Sequence, residues 1–240
     1  MSKVKDRYRR RSQEQLISLL IPDGPPSAMY DLGVGPYAEF QTLKEIWPDM
    51  QVFACEPDPY EFLQALPLVE AIGGKLVRVA IVGRDKSGLD VDFHTCDPGQ
   101  GGGSLHDLGS NGRGIIRTLG WSLDDFDIWA ISQSNIIHDR ILLWADIEGS
   151  ELEMLRGGQE LLRSGRVHWI NLETRDHDDR PNRPTTLDIT KFLHDFGYDP
   201  VHRYGVQGDY PEAPGDTIYF RRGVVPLLPP SSGAPFEVIT

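Results

Sequence analysis

Two features near the start of the chain limit the folds that it can adopt. An apolar run ends in an Asp-x-Gly-x-Gly turn at residues 31–35, and a second apolar run ends in Glu56, 21 residues after Gly35. Glycine accepts backbone angles and close ligand approaches that a Cβ atom would block. A carboxylate at the end of the next strand can accept hydrogen bonds from the two hydroxyl groups of a ribose. The pattern therefore predicts a nucleotide-type crevice at the ends of two neighbouring strands.

The glycine turn leaves the choice between adenosine-containing cofactors open. A dinucleotide site reads G-x-G-x-x-G/A, and Ala38 stands where the third small residue belongs. Two details favour S-adenosylmethionine. Asp31 precedes the first glycine by two positions, where its carboxylate can reach an ammonium group. Pro36 and Tyr37 leave few backbone N–H groups for a pyrophosphate, because proline has none.

Length, charge and cysteine content define the class of protein. The 240 residues suffice for one large α/β domain with a substantial core. The net charge of −12 disfavours an extended phosphate backbone as a ligand. The basic residues 3–11 are either a solvated tail or a segment that contacts such a backbone. No apolar stretch approaches the ~20 residues that span a bilayer. Cys55 and Cys96 suggest reduced thiols, so we expect a cytoplasmic protein without a membrane contact.

Strand and helix signals alternate along the chain, which is typical of a parallel sheet covered on both faces. Strands are predicted at residues 30–34, 52–55, 75–82, 141–146, 167–172 and 216–220, with an extra half-exposed strand at 91–95. Helices are predicted at residues 12–20, 38–46, 59–66, 152–162 and 186–196, and Pro48 and Pro67 are expected to end the second and third. We divide the chain into a basic N-terminal segment and helix (1–27), one α/β domain (28–222) and a proline-rich tail (223–240).

The residues at the predicted strand ends converge on one edge of the sheet. Ligands of open α/β sheets bind at the carboxyl ends of the strands, near the point where the strand order reverses. The strand ends carry the glycine turn with Asp31, then Glu56, the segment 79–82, Asp146 and Glu173. Because all of them belong to the same edge, these separate motifs predict a single site.

Four motifs follow one another in a recognisable order. They are Asp31-x-Gly-x-Gly35, Phe53-Ala54-Cys55-Glu56-Pro57-Asp58, Val79-Ala80-Ile81-Val82 and Ala145-Asp146-Ile147-Glu148-Gly149-Ser150-Glu151. This order resembles the FkbM-type S-adenosylmethionine-dependent methyltransferases, whose strings are close to D-x-G-A-N-x-G, F-E-P, V-A-L and D-x-E-G-A-E. The resemblance covers about residues 28–200, and its most specific part is the last motif. The glycine turn departs from the family pattern, because Pro36-Tyr37 replaces an asparagine and a third glycine.

The resemblance implies a Rossmann-like class I methyltransferase fold with a mostly parallel central sheet. It also implies an enzyme that methylates a hydroxyl oxygen. It implies that the glycine turn lines the methionine end of the cofactor and that Glu56 binds the ribose. Ser104 lies in a glycine-rich loop at 99–111, which is either a lid over the adenosine or a plain hairpin connection. With Ser104 included, the predicted cofactor-binding residues are Asp31, Gly33, Gly35, Tyr37, Glu56, Pro57, Asp58, Val79, Ala80, Ser104 and Asp146.

An alcohol acceptor requires a base that removes its proton during the attack. Asp146 is our first candidate, and Glu148, Glu173 and His177 are alternatives. Asp146 could instead cap the next helix or hold the cofactor ammonium. The acidic segment at 173–179 has, together with Asp146, enough oxygen ligands for Mg²⁺, although such a segment is more often simply solvated.

The sequence thus predicts an S-adenosylmethionine-dependent O-methyltransferase that acts on a small molecule, such as a glycoside or another secondary metabolite. Two alternatives stay open: an NAD(P)-dependent oxidoreductase on a similar fold, and a cofactor-binding scaffold without catalysis. Residues 1–20 and 223–240 could reach a partner subunit in a homo-oligomer.

Overall fold

The structure is a computed structural model that describes residues 24–35, 40–99, 102–109, 112–175, 183–204 and 215–224. The predicted helix at 12–20, the proline-rich residues 225–240, Tyr37 and His177 lie outside the described residues. Among the helices of the described ranges, none has the length and apolar character that crossing a membrane requires.

The described chain forms two sheets and a set of helices. The strands are β1 (Ala28–Leu32), β2 (Gln51–Cys55), β3 (Lys75–Val77), β4 (Ala80–Ile81), β5 (Asp90–Thr95), β6 (Gly114–Trp121), β7 (Ile141–Ala145), β8 (Val167–Thr174), β9 (Tyr198–Tyr204) and β10 (Gly215–Arg221). The α-helices are α1 (Phe40–Ile46), α2 (Pro59–Ala71), α3 (Leu123–Ser134), α4 (Glu151–Gly157), α5 (Gln159–Ser164) and α6 (Thr186–Asp195). Strand β6, strand β9 and helix α3 are absent from the sequence-based prediction.

The larger sheet has seven strands in the order β3-β2-β1-β7-β8-β10-β9. The first five are parallel to their neighbours, whereas β10 runs antiparallel to both β8 and β9. From β1 the chain continues outward to β2 and β3, and from β7 it continues in the opposite direction to β8. The strand order therefore reverses between β1 and β7, which is where open α/β sheets bind their ligands.

Helices cover both faces of this sheet, as the alternation of strands and helices predicts. Successive side chains of a strand point to opposite faces. Tyr30 and Leu32 belong to the core on one face, where they share a buried cluster with side chains from α3, α4, α5 and α6. Met29 belongs to the opposite face, where α1 and α2 contribute Phe40 and Val69. The predicted Rossmann-like α/β fold is thus confirmed.

The strand predicted at residues 75–82 is in fact two strands in different sheets. Lys75–Val77 pairs with β2, whereas Ala80–Ile81 pairs with β6 in a small sheet of order β4-β6-β5. The half-exposed strand predicted at 91–95 is confirmed as β5, and its partner is β6. Pairing with β6 draws the chain out of the main sheet after Val77.

Two predicted helix boundaries are wrong. Helix α2 continues past Pro67 to Ala71, because Ala65 and Val69 are buried against the sheet on either side of the proline. Their burial offsets the backbone hydrogen bond that Pro67 cannot donate. The single helix predicted at 152–162 is interrupted at Gly158, where an added Cβ would lie 2.5 Å from Leu123 Cδ2. A close approach to α3 therefore requires the glycine and divides the helix into α4 and α5.

Candidate active site

A cavity of about 650 Å³, including its open mouth, lies at the carboxyl ends of β1, β2 and β7. Most of the predicted cofactor-binding residues line it, namely Gly33, Gly35, Glu56, Pro57, Asp58, Val79, Ala80 and Asp146. Glu148, one of the alternative candidates for the base, lines it as well. The register explains this convergence, because Leu32 at the end of β1 pairs with both Cys55 of β2 and Ala145 of β7. Glu56 and Asp146 thus follow directly on either side of the glycine turn, two strand spacings or about 10 Å apart.

Gly33 brings the glycine turn into contact with the loop after β7. Its φ angle is +83°, and a Cβ atom there would lie 2.4 Å from the carbonyl oxygen of Asp146. Any larger residue would be strained in its backbone and would push the two loops apart. Glycine at this position therefore allows the end of β1 and the Asp146 loop to form one continuous wall.

Glu56 is held in place by the backbone on both sides. Its Oε2 accepts a hydrogen bond from the Gly35 N–H at 3.0 Å, and its Oε1 accepts one from the Asp58 N–H at 2.9 Å. The side chain is only 5% exposed. Burial raises the pKa of Glu56 to about 7, and the two backbone donors oppose that rise by stabilising the carboxylate. Each oxygen keeps a further lone pair for a hydroxyl group of a ligand.

The loop after β7 is stabilised by the buried carboxylate of Glu151. Its Oε1 accepts hydrogen bonds from the backbone N–H groups of Ile147 at 3.3 Å and Gly149 at 3.2 Å. Glu148, between them, has a φ angle of +55°, which a non-glycine residue rarely adopts. Burial raises the pKa of Glu151 to about 7, while these backbone donors lower it. Glu151 therefore fixes the path of the segment that carries Asp146 and Glu148.

Ser104 connects the glycine-rich loop to the same segment and does not line the cavity. Its hydroxyl donates to the carbonyl oxygen of Glu148 at 2.9 Å, and its backbone pairs with His94 of β5. The ring Nε2 of His106 lies 3.1 Å from the carbonyl oxygen of Gly149. Residues 102–109 of this loop are therefore attached to the wall that carries Glu148, and Gly102 and Gly103 face the cavity.

Asp31 is likewise not among the residues that line the cavity. It is 1% exposed and sits in the middle of the sheet, paired with Ala54 and Trp144. Its side chain alternates to the opposite face from Tyr30 and Leu32. The predicted contact between Asp31 and the cofactor ammonium stays a prediction.

Three carboxylates meet next to the cavity. Ligand atoms of Asp146, Glu148 and Glu173 lie within 4.8 Å of one another. Arg175 Nη2 bridges two of them, at 3.4 Å from both Glu148 Oε2 and Glu173 Oε2. Burial and the charge of Glu148 raise the pKa of Glu173 to about 8, and Arg175 lowers it. These three acids are three of the four predicted candidates for the base. Glu173, however, does not line the cavity.

The charge of the cavity wall is negative. Six of the lining residues are acids, namely Glu56, Asp58, Glu61, Asp97, Asp146 and Glu148, and no described lining residue is Lys, Arg or His. Such a wall attracts a cation and repels a pyrophosphate. S-adenosylmethionine fits, because it carries a sulfonium and an ammonium group and no phosphate. Its adenine would find apolar side chains in Val79, Ile81 and Phe93.

The parallel sheet, the reversal of strand order at the cavity and the acid after β2 together define a Rossmann-like fold that binds an adenosine-containing cofactor, and the acidic wall favours S-adenosylmethionine over a dinucleotide. Residues 35–200 match the methyltransferase FkbM domain, and the chain belongs to this family of S-adenosylmethionine-dependent methyltransferases. A relative in Sinorhizobium fredii (strain NBRC 101917 / NGR234), the 2-O-methyltransferase NoeI, is 24% identical over 210 residues, which cover 81% of this chain and 82% of NoeI.

Solved methyltransferase structures also resemble the chain. The methyltransferase domain of bacterial CtHen1-C aligns with a TM-score of 0.49 and 12% identity, over 90% of this chain and 98% of that one. Magnesium protoporphyrin IX methyltransferase (ChlM) from Synechocystis PCC 6803, with bound S-adenosylmethionine, aligns with a TM-score of 0.47 and 13% identity, over 92% of this chain and 85% of that one.

Sequence reasoning missed about half of the cavity lining. The missed residues are Cys55, Glu61, Ile81, Phe93, Cys96, Asp97, Gly102, Gly103, Leu105, Ile147 and Ser150. Several are direct neighbours of predicted residues and follow from the strand ends. Glu61 could have been found from its position in the first turn of the helix that follows Glu56. Phe93 could not, because it enters the site from the small sheet.

Proposed function

We propose that this protein transfers a methyl group from S-adenosylmethionine to a hydroxyl oxygen of a small molecule, with Asp146 as the general base. The observation that carries the proposal is the shared wall of the cavity. Glu56 and Asp146 line it on opposite sides of Gly33, so a cofactor held at Glu56 would extend toward Asp146. The name of the relative NoeI, a 2-O-methyltransferase, supports oxygen as the accepting atom.

The cofactor would supply a methyl group that is already activated by a positive sulfur. The protein then has to hold the acceptor in line and remove its proton. Asp146 is suited to that task, because it lines the cavity and its backbone N–H is held by the Leu32 carbonyl at 3.2 Å. Glu148 lines the same wall and is the nearest alternative. Glu173 is engaged with Arg175 behind them and would act by setting the local charge.

A small neutral or cationic acceptor fits this cavity better than a nucleic acid. The protein has a net charge of −12, and the cavity wall is acidic. An extended phosphate backbone would be repelled by both. A glycoside or another secondary metabolite with a free hydroxyl group fits this charge.

Arg175 bears on the prediction of a magnesium ion. Its guanidinium already forms ion pairs with Glu148 and Glu173, which are two of the three acids that could ligate a metal. We propose that this arginine takes the place of a divalent ion and that methyl transfer proceeds in excess chelator. Loss of turnover in EDTA, restored by Mg²⁺, would establish the metal instead.

An acceptor screen tests the function. The protein is incubated with S-adenosylmethionine and glycosides that each carry one free hydroxyl group, and S-adenosylhomocysteine formation and product mass are followed. We expect the wild-type protein to add one methyl group to an oxygen of the acceptor. Binding of S-adenosylhomocysteine without turnover on any acceptor would favour the scaffold, and methylation of carbon or nitrogen would overturn the O-methyl assignment.

A further inference from the structure

Glu61 is a buried acid in the cavity wall for which the reaction outlined above has no use. It lies in the first turn of α2, whose N-cap Asp58 accepts hydrogen bonds from the backbone N–H groups of Tyr60 and Glu61. The capping fixes the direction in which this turn enters the site. The side chain of Glu61 lines the cavity together with Glu56 and is only 6% exposed.

One oxygen of Glu61 holds the glycine-rich loop. Its Oε1 accepts a hydrogen bond from the backbone N–H of Gly99 at 2.6 Å, across 38 residues of sequence. Gly99 has a φ angle of +75° and belongs to the connection between β5 and β6. Glu61 therefore ties helix α2 to a loop whose next residues on the described chain, Gly102 and Gly103, line the same cavity.

The other oxygen of Glu61 is buried without a hydrogen-bond partner among the residues that the structure describes. Leaving a buried carboxylate oxygen without a donor is costly, and buried polar groups are nearly always paired. No basic side chain among the described lining residues can pair with it. Burial, and after it the charge of Asp58, raise the pKa of Glu61, whereas the Gly99 N–H lowers it. The wall therefore lacks a donor that a ligand can supply.

We propose that Glu61 is a cofactor-binding residue whose Oε2 accepts a hydrogen bond from the adenosine part of S-adenosylmethionine. The donor is either a ribose hydroxyl or the 6-amino group of adenine, since the adenosine part has no other strong donor. Because Oε1 holds Gly99 at the same time, the carboxylate links cofactor binding to the position of the glycine-rich loop. The inference rests on the assignment of this cavity to S-adenosylmethionine.

The substitution Glu61→Gln separates the two tasks of the side chain. The amide oxygen can still accept from Gly99, but the amide nitrogen places a donor where the cofactor also presents one. We expect the affinity for S-adenosylhomocysteine, measured by calorimetry, to fall at least about tenfold, in keeping with the loss of a hydrogen bond to a charged group. Glu70→Gln, at an exposed position of the same helix, is the matched control and should leave affinity unchanged.

Cofactor analogues identify the donor. S-inosylhomocysteine lacks the 6-amino group, and the 2′-deoxy and 3′-deoxy analogues each lack one ribose hydroxyl. The analogue that lacks the donor to Glu61 should bind wild type at least about tenfold more weakly than S-adenosylhomocysteine, and Glu61→Gln should not weaken its binding further. If Glu61→Gln does not fold, as judged by circular dichroism, Glu61→Met is used in its place. Methionine also loses the bond to Gly99, so every ligand should bind it more weakly, but the analogue that lacks the donor should lose less affinity than S-adenosylhomocysteine does.

The outcomes separate this inference from the function on which it rests. Equal affinity of wild type and Glu61→Gln would overturn the role of Glu61 while leaving the methyltransferase intact. A loss that is the same for S-adenosylhomocysteine and for all three analogues would mean that Glu61 acts through the Gly99 loop alone, which also overturns direct contact. No binding of S-adenosylhomocysteine by wild type would instead reject the assignment of the cavity.

Discussion

The backbone N–H of Gly35 donates a hydrogen bond to the carboxylate of Glu56, with 3.0 Å between the nitrogen and Oε2. This bond joins the glycine turn after β1 to the acid after β2. Together with the Asp58 N–H on Oε1, it orients the carboxylate before any ligand arrives. A binding group that is already oriented loses little freedom when the ligand binds, so it contributes more to affinity.

Substitution of Glu56 should weaken cofactor binding strongly. In Glu56→Gln, one backbone N–H would face the amide nitrogen in place of an acceptor, and the ribose would lose a charged partner. We expect the affinity for S-adenosylhomocysteine to fall by about 10- to 100-fold in calorimetry, the range for a hydrogen bond to a charged group. Glu70→Gln serves as the control. An unchanged affinity for Glu56→Gln would show that the ribose binds elsewhere.

Cofactor affinity should depend on pH near neutrality. The pKa of Glu56 is raised to about 7 by burial, and the ionised form is the better acceptor for ribose hydroxyl groups. Affinity is therefore expected to rise with pH through this range, by up to about tenfold between pH 6 and pH 8. Titrations at several pH values measure this, and Glu56→Gln should remove the Glu56 contribution. The opposite slope, with tighter binding at pH 6, would contradict the role of the carboxylate.

Asp146→Asn should separate catalysis from binding. The amide has nearly the same shape but cannot accept a proton from the acceptor hydroxyl. We expect kcat to fall by about 10²- to 10⁴-fold, the usual contribution of a general base, with cofactor affinity within about threefold of wild type. Turnover and binding are measured on the same preparation. Wild-type turnover in Asp146→Asn would reject the base and direct attention to Glu148.

Gly33→Ala should destabilise the protein more than Gly73→Ala does. Both glycines have a positive φ angle, +83° for Gly33 and +71° for Gly73, so both substitutions strain the backbone. Only the Cβ at Gly33 meets another atom, the Asp146 carbonyl oxygen at 2.4 Å, whereas nothing lies within 4 Å of a Cβ at Gly73. The difference in thermal midpoint between the two variants isolates this contact. Equal midpoints would mean that the Asp146 loop moves aside at no cost.

The local sequence was sufficient to predict where the strands end, but it predicted the directions of side chains much less well. The crevice residues Gly33, Gly35 and Glu56 follow from spacing alone, because parallel strands align their carboxyl ends. Ser104 has the expected position along the chain, but its bond to the Glu148 carbonyl oxygen leaves it outside the cavity lining. Asp31 is buried within the sheet and is also outside that lining. Such details depend on packing between segments that are far apart in sequence.

Contacts across long sequence separations were also beyond prediction. The loop at 99–111 was open to two interpretations, and the bonds from Ser104 to Glu148 and from Glu61 to Gly99 show where its described residues are attached. The strand β6, which pairs with β4 and β5, brings Phe93 and this loop to the site. Neither pairing can be predicted from the residues close to it in the sequence.

The central claim is that the acidic cavity beside Gly33 and Glu56 holds S-adenosylmethionine. Calorimetric titration of wild type and Glu56→Gln with S-adenosylhomocysteine, and separately with NAD, tests it most directly. The account predicts that wild type binds S-adenosylhomocysteine at one site per chain, that Glu56→Gln binds it at least about tenfold more weakly, and that neither binds NAD. Binding of NAD alone by wild type would contradict it.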